Sequence, residues 1–478
     1  MENFNLKDLK NKKVHFVGIG GISMSCLAMM LKANKIYVQG SDETENAEVK
    51  KLQKKGIKIF VGHNEKNVDG MDVVVYSSAI TNDNEELVCA RRKGLLIIKR
   101  AELLGMVASG YKTVVSVAGS HGKTTATAMI SEMLLKNDFK PTLHIGGVLN
   151  SIHSNHKIGN KKIFVTESCE YKDNFLFLKP DISVVLNVDA DHLDYFGNLE
   201  GVKTSFLKFA KNTKEGGINI VSFDDKNSSE IANLENSITF GFDKKANVYA
   251  CKIKEYKPCH YSFDVVFSRF NLGNIKLNIL GKHNIFNALA CVLVGLALQI
   301  DFCDIKDAIE NFSGVERRCQ LISSKNDILI YHDYAHHPKQ IENMLEVSKN
   351  IVKKTRGKVI VVFEPHTYSR TKALINEFAK SFETADHVIF APVYSARELP
   401  SAGFDSLKLA NETKKRNKNV EHIETFKDIK SRVLSLAKKG DVVMILGAGT
   451  IEKLAKMFWL KLSKKPCKCW KQKVLCFS

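Results

Sequence analysis

Apolar positions along the chain fall into short unbroken runs separated by stretches in which they recur every three or four residues. The runs at 14–17, 36–40, 57–60 and 73–76 predict strands, and the periodic stretches at 24–32 and 47–55 predict helices. Strands alternating with helices imply a parallel sheet covered on its faces. A further β-branched run, Val114, Val115 and Val117, predicts a buried strand. Small residues from Gly119 to Gly122 follow it, and a helix opens at Thr124 and continues through Met133 and Leu135. Strands are also predicted at 163–167, from 184 onward, and at 328–331, 359–363, 387–391 and 442–446; a helix carries Ala288, Ala290 and Val292.

A length of 478 residues suggests about three domains. The net charge of +19 suits an anionic partner, but lysine is scattered without arginine-aromatic stripes, so a basic surface or a small anionic substrate explains it as well as nucleic acid does; the partners expected are small molecules, with no nucleic acid. Eleven cysteines show no paired spacing, and Cys26, Cys89 and Cys291 lie in apolar helical patterns, which suits reduced, buried thiols. Cys467, Cys469 and Cys476 sit among Lys464, Lys465, Lys468, Lys471 and Lys473 in a basic tail that offers no fourth metal ligand at a usual spacing. The apolar stretch 14–31 after Lys12 and Lys13 superficially resembles a leader, yet His15 and three glycines interrupt it. The run 288–300 is too short to span a bilayer. The expectation is a cytoplasmic protein without membrane insertion.

Candidate chemistry clusters where predicted strands end. In Gly119-Ser120-His121-Gly122-Lys123-Thr124-Thr125 the helix start offers open backbone N–H groups and a positive dipole end to phosphate. Lys123 adds a point charge, and a Thr124 or Thr125 hydroxyl can hold magnesium. The match is to the short GxxGKTT form, because Val117 stands where a full loop has glycine. A second turn, Gly18-Ile19-Gly20-Gly21-Ile22-Ser23, follows the first strand, and Asp42 closes the second. With Ser23 at the third glycine position this indicates a diphosphate on a helix N-terminus without saying which nucleotide carries it. Ser77 and Ser78 follow another strand end. Glu167, and His192 in the segment Asn187-Val188-Asp189-Ala190-Asp191-His192, are candidates to place magnesium against phosphate oxygens.

His283 and Asn284 open a helix, as cap or contact. In His332-Asp333-Tyr334-Ala335-His336-His337-Pro338 adjacent histidines diverge, which favours hydrogen bonding over a metal. Gly447 to Thr450 reads equally as a phosphate turn and as simple helix entry.

The ordered set HFVGIGGISMS, SSAI, GSHGKTT, TESCEYKDNF, NVDADHLD, GKHNIFNALA, GVERR, HDYAHHP, EPHTYSRT and GAGTI resembles the Mur ligase family over about residues 10–455. The resemblance implies an α/β protein of three domains: a Rossmann-like N-terminal domain (1–107) for a UDP-sugar, a central P-loop-type ATPase domain with a mostly parallel sheet (108–314), and a Rossmann-like C-terminal domain (315–455), followed by the basic tail 456–478. It implies ATP-dependent joining of L-alanine to UDP-N-acetylmuramate through an acyl phosphate, with Mg2+, for peptidoglycan synthesis, by a monomer or homodimer. Closure of the domains around the acyl phosphate is expected, to keep it from water.

By the same resemblance Gly18, Gly20, Gly21, Ile22, Ser23, Asp42, Ser77 and Ser78 would hold the UDP-sugar. ATP would take Gly119 to Thr125, His283, Asn284 and Asp333, and magnesium Thr124, Glu167 and His192. Lys123, Glu167, His192, His336 and Arg370 would serve catalysis. The segment TESCEYKDNF is less acidic than in many relatives, leaving the role of Glu170 open. Thr367 stands where numerous members place arginine, and Phe206 near where sister ligases carry a carbamylated lysine. Two rival readings are a sister ligase that attaches a preformed tripeptide to the same sugar, and a nucleotide-binding scaffold without activity.

Overall fold

A computed structural model describes residues 6–396, 398 and 405–459. The cysteine-containing end of the tail lies outside these residues. Three sheets carry the fold, as the alternating pattern predicts. The first orders its strands β3-β2-β1-β4-β5, all parallel: β1 (Lys13–Val17), β2 (Tyr37–Asp42), β3 (Lys58–Val61), β4 (Val73–Tyr76) and β5 (Leu96–Lys99).

The second sheet has ten strands, ordered β15-β14-β13-β12-β11-β10-β6-β9-β7-β8. Its parallel centre comprises β6 (Thr113–Ala118), β7 (Thr142–Leu149), β9 (Ile163–Glu167), β10 (Ile182–Val185), β11 (Ile218–Ser222) and β12 (Ser237–Gly241). The short β8 (Ser154–Lys157) lies antiparallel at one edge. At the other edge run β13 (Val248–Lys257), β14 (His260–Phe267) and β15 (Phe270–Lys276), with β14 and β15 antiparallel.

The third sheet is ordered β16-β17-β21-β18-β19-β20, with β16 (Gln320–Ser323), β17 (Leu329–Asp333), β18 (Val359–Phe363), β19 (His387–Phe390), β20 (Val420–His422) and β21 (Val442–Leu446). Only β16 runs antiparallel. Central strands such as β6, β10, β18 and β21 are buried along nearly their whole length. That is why they read as continuous apolar runs rather than alternating ones.

The chain divides into two compact units. The first holds the first two sheets to Glu316, and the second runs from Arg317 and includes Lys257–Cys259. Within the first unit Val114, Phe164 and Leu178 join the apolar core that contains Leu104 and Val107, so the two sheets share buried surface. Phe206 is fully buried and packs edge-on against Phe175. Cys26, Cys89 and Cys291 are buried free thiols. Among the described residues no helix is long and apolar enough to cross a membrane.

Helix starts fall into two kinds. Asn46, Asn84, Asn198, Asp405 and Thr425 each cap a helix by accepting a backbone N–H on the side chain. Without any side-chain cap, as also at Asp301 and His337 before Phe302–Glu310 and Pro338–Thr355, Gly21, Gly122 and His283 occupy the same position on the helices Ile22–Ala33, Lys123–Lys136 and Asn284–Ala297. Those three helices start at the segments singled out by their sequence.

Candidate active site

The loop 119–122 leaves the end of β6 and turns into the helix Lys123–Lys136. Gly122 has φ +84°, a left-handed conformation, and a Cβ there would stand 2.9 Å from Asn287 Oδ1. The loop is braced by the segment after β10. The His121 N–H donates to Asn187 Oδ1 at 2.8 Å, Asn187 Nδ2 donates to the His121 carbonyl at 3.0 Å, and the Asp189 N–H donates to Ser120 Oγ at 2.8 Å. Asn187 escaped the sequence reading, because its partners lie 66 residues away and nothing local marks it.

Lys123 Nζ lies folded into this loop, donating to the Gly119 carbonyl, to the Ser120 carbonyl at 3.3 Å and to Glu170 Oε1 at 3.0 Å. The Glu170 side chain is only 2 % exposed. Burial is the largest influence and would push the Lys123 ammonium down, but the charge and hydrogen bond of Glu170, together with the neighbouring Cys169 and Glu167, outweigh it and hold its pKa above the ordinary value. Glu170, whose role the sequence left open, is therefore the lysine's counter-ion.

Thr124 Oγ1 donates to Glu167 Oε2 at 2.9 Å, and the Gly146 N–H donates to the same oxygen at 3.0 Å. A Cβ on Gly146 would fall 2.2 Å from that oxygen, so only glycine lets the carboxylate lie there. Gly146→Ala is expected to push Glu167 off Thr124 and lower kcat/KM by about 10²-fold, as ångström-scale misplacement does, with an unchanged circular dichroism spectrum.

His192 stands with two carboxylates. Its ring atoms lie 3.8 Å from Glu170 Oε1 and 3.9 Å from Asp191 Oδ1, and ligand atoms of Glu170, Asp191 and His192 all fall within 4.8 Å of one another. Oxygen-rich donors of this kind fit a hard divalent cation. The sequence reading named Glu167 and His192 but missed Glu170 and Asp191 as partners.

At the first sheet, Gly18 (φ +80°) lies beside Ser77, at the ends of the neighbouring strands β1 and β4. The Gly18 and Ile19 N–H groups donate to the Ser41 carbonyl, and Gly20 N–H donates to Asp42 Oδ2 at 2.8 Å. Asp42 thus closes the turn. The helix that follows, Ile22–Ala33, starts without a side-chain cap. Ser78 is exposed.

At the Asn284–Ala297 helix, Asn284 Nδ2 donates to the Leu280 carbonyl at 2.7 Å, and Asn287 Nδ2 to Asn284 Oδ1 at 2.8 Å. Asn284 therefore braces its own turn. His283 remains exposed beside it.

In the second unit Asp333 is buried, which pushes its carboxyl above the ordinary range, and it accepts the Cys319 and Ala335 N–H groups at 2.7 Å each. Arg317 reaches Glu452 at 3.3 Å and lies over the Tyr334 ring. His336 Nδ1 lies 2.9 Å from the Tyr334 carbonyl and so carries the proton there. Burial, then the Arg370 charge, pushes the ring down to about 3, leaving it neutral. Arg370 Nη1 stands 3.4 Å from His366 Nδ1. The turn Gly447–Thr450 is a helix entry and not an open phosphate site. Glu364 fills it, accepting from Thr450 Oγ1 at 2.6 Å and the Ile451 N–H at 3.0 Å.

Burial also holds His332 down, to about 4. A histidine kept neutral in the fold and ordinary at 6.5 when unfolded contributes stability above pH 6.5 that is lost as pH falls toward the folded value. Calorimetry should therefore show the second unit losing stability from pH 6.5 toward about 4, with a flatter slope in His332→Gln.

Three family profiles match in succession: "Mur ligase family, catalytic domain" over residues 13–112, "Mur ligase middle domain" over 117–295, and "Mur ligase, glutamate ligase domain" over 317–449. A relative from Caldicellulosiruptor bescii named UDP-N-acetylmuramate--L-alanine ligase is 42% identical over 444 residues, spanning 92% of this chain and 97% of its own. One of the same name from Clostridium botulinum strain Okra is 41% identical, spanning 95% and 98%. The crystal structure of UDP-N-acetylmuramate-alanine ligase from Thermotoga maritima superposes with a TM-score of 0.81 at 29% identity, covering 94% of this chain and 99% of that one. A murein peptide ligase from Psychrobacter arcticus shares the fold, with a TM-score of 0.72 at 21% identity, over 95% of this chain and all of that one.

Proposed function

Because the chain belongs to the Mur ligase family, we propose that it joins L-alanine to UDP-N-acetylmuramate at the expense of ATP, giving UDP-N-acetylmuramoyl-L-alanine, ADP and phosphate. The observation that carries this reading is the pair of uncapped glycine helix starts, at Gly21 and Gly122, in one compact unit with Lys123, Glu167 and His192. One start suits the sugar diphosphate and the other the ATP phosphates.

Lys123 and the 119–125 backbone hold the β- and γ-phosphates, and His283 and Asn284 contact the adenine. Asp333 belongs to the ribose side, where its oxygens act by fixing the 319 and 335 backbone. Mg2+ bound by Thr124, Glu167 and His192, with Glu170 and Asp191 alongside, would neutralise charge on the transferring phosphate. The lactoyl carboxylate takes the γ-phosphoryl group, and the alanine amine attacks the resulting acyl phosphate and expels phosphate. Each step moves negative charge, so fixed cations matter more than a nucleophilic side chain.

From the second unit we assign Arg370 to the anionic oxygens of the intermediate. His336 is assigned to the amine: its free Nε2 accepts a hydrogen bond, while a ring pushed down to about 3 does not retain a proton at neutral pH.

The test is phosphate release from MgATP with UDP-N-acetylmuramate and, in turn, L-alanine, glycine, L-serine or a stem tripeptide. Release that requires both the sugar and L-alanine is expected. Release only with the tripeptide would move the assignment to the recycling ligase, and release indifferent to the sugar would overturn both.

A further inference from the structure

Between the first and second sheets runs a chain of four hydrogen bonds that all point one way. Arg100 Nη1 lies 3.1 Å from Ser23 Oγ, which lies 2.7 Å from His144 Nε2. His144 Nδ1 is 2.9 Å from Thr166 Oγ1, and that hydroxyl donates to the Glu167 carbonyl at 3.0 Å.

The two ends fix the direction. A guanidinium only donates and a carbonyl only accepts. Ser23 Oγ therefore accepts from Arg100 and gives its own proton to His144 Nε2, and His144 Nδ1–H donates to Thr166. The opposite tautomer would turn Thr166 Oγ1–H onto His144 Nδ1, taking it from the Glu167 carbonyl, and would leave the Ser23 proton no acceptor within this chain of bonds. His144 is 4 % exposed, and burial, with the Arg100 charge behind it, pushes the ring down to about 3, so the neutral form that this chain requires is the form present.

Each end of the chain meets a segment already assigned. Ser23 stands in the uncapped first turn of the Ile22–Ala33 helix, given above to the sugar diphosphate. Thr166 holds the backbone of Glu167, whose carboxylate is separately fixed by Thr124 and Gly146. Asn155 adds a second tie, donating to the Ile22 carbonyl at 2.9 Å. His144 and Gly146 lie on the same strand, β7, so this strand touches both the helix start and the carboxylate.

We propose that His144 is a positioning residue, which through Ser23 on one side and Thr166 on the other sets the Glu167 segment at a fixed place relative to the sugar-nucleotide helix. It touches no substrate; it acts through the groups it holds. The assignment rests on the ligase reading for what the two ends bind.

The experiment compares wild type with His144→Leu, which breaks both bonds, His144→Asn, whose amide can keep the donation to Thr166, and Thr166→Val, which removes the hydroxyl at similar volume. Affinity for MgAMP-PNP is measured by calorimetry, together with kcat and KM for UDP-N-acetylmuramate and L-alanine. Second-sphere supports of a metal ligand are commonly worth about 10–100-fold in affinity. About ten-fold weaker MgAMP-PNP binding is expected in His144→Leu and Thr166→Val, with KM for L-alanine unchanged and most of the affinity regained in His144→Asn. Wild-type nucleotide affinity in Thr166→Val, or in a His144→Leu protein that has merely lost thermal stability, would overturn the proposal. Should His144→Leu fail to fold, Thr166→Val decides. Wild-type protein that binds MgAMP-PNP but releases no phosphate with the sugar and L-alanine would overturn the ligase reading instead, leaving the binding comparison intact.

Discussion

Lys123→Met is expected to lower turnover by about 10²–10³-fold, the loss typical when one fixed charge is withdrawn from a developing anion. Phosphate release under saturating substrates measures it. A second effect comes with the first. The lysine is the counter-ion of a Glu170 side chain that is only 2 % exposed, and removing one partner of a buried pair costs about 3–5 kcal/mol through the charge left behind. Denaturant unfolding should register that loss in Lys123→Met, and Lys123→Met combined with Glu170→Gln should regain most of the stability while remaining inactive. Recovery of turnover in the double variant would show that Lys123 is needed for folding and not for chemistry.

Glu86→Ala is expected to produce the largest loss of stability at a position remote from phosphate. Glu86 is 0 % exposed and lies in the helix Glu85–Arg92. Its carboxylate accepts from Ser41 Oγ at 2.6 Å, Asn67 Nδ2 at 2.5 Å, and His15 Nε2 and His63 Nδ1 at 3.3 Å each. Gln39 Nε2 faces the other His15 nitrogen at 3.3 Å, so that the Nε2 proton points at Glu86. Burial alone would raise the carboxyl, but the hydrogen bonds from His15 and His63 outweigh it and hold Glu86 well below the usual carboxylate range. Alanine strands several buried donors at once, at a cost of about 3–5 kcal/mol in denaturant unfolding. Glu86→Gln should recover only part of this, because its amide turns a donor toward donors.

The pH dependence has a definite sign. A carboxyl held below 4.5 contributes stability that is present above that pH and is lost as pH falls. His63, raised above 6.5 by its bond to Glu86, contributes stability present below 6.5 and lost as pH rises through its folded value. The difference between wild type and Glu86→Ala should therefore be greatest between about pH 4.5 and 6.5.

Much of the fold is legible in the chain because buried parallel strands leave unbroken apolar runs. The runs predicted at 73–76, 163–167, 359–363 and 442–446 coincide with β4, β9, β18 and β21. The arm β13 to β15 was not legible: β13, VYACKIKEYK, is exposed over much of its length, so its lysines and glutamate mask the strand period. At the site, the phosphate loop announces itself because its glycines and lysine are local to one turn. Glu170, Asn187 and Glu86 do not, since each acquires its role from partners brought in by the fold. Glu85 and Glu86 look alike in the sequence, and only the positions of His15, Ser41 and Asn67 decide which of them is buried.

The uncapped helix starts at Gly21, Gly122 and His283 bear on how this protein behaves when empty. A side-chain cap contributes about 1 kcal/mol, which this chain secures at Asn46, Asn84 and Asn198 and forgoes at the helix starts assigned to nucleotides. Its rigidity is accordingly conditional: phosphate oxygens supply on binding what side chains supply elsewhere, and a ligand at a hundred times its dissociation constant adds about 2.7 kcal/mol to the native state. A sequence optimised for thermostability alone would place Asn or Asp at position 21, where the backbone is extended and a Cβ meets nothing nearer than 3.6 Å, and so fill that cradle with its own oxygen. Resistance to heat and proteolysis in this protein should thus track nucleotide supply, making the empty form the most vulnerable one.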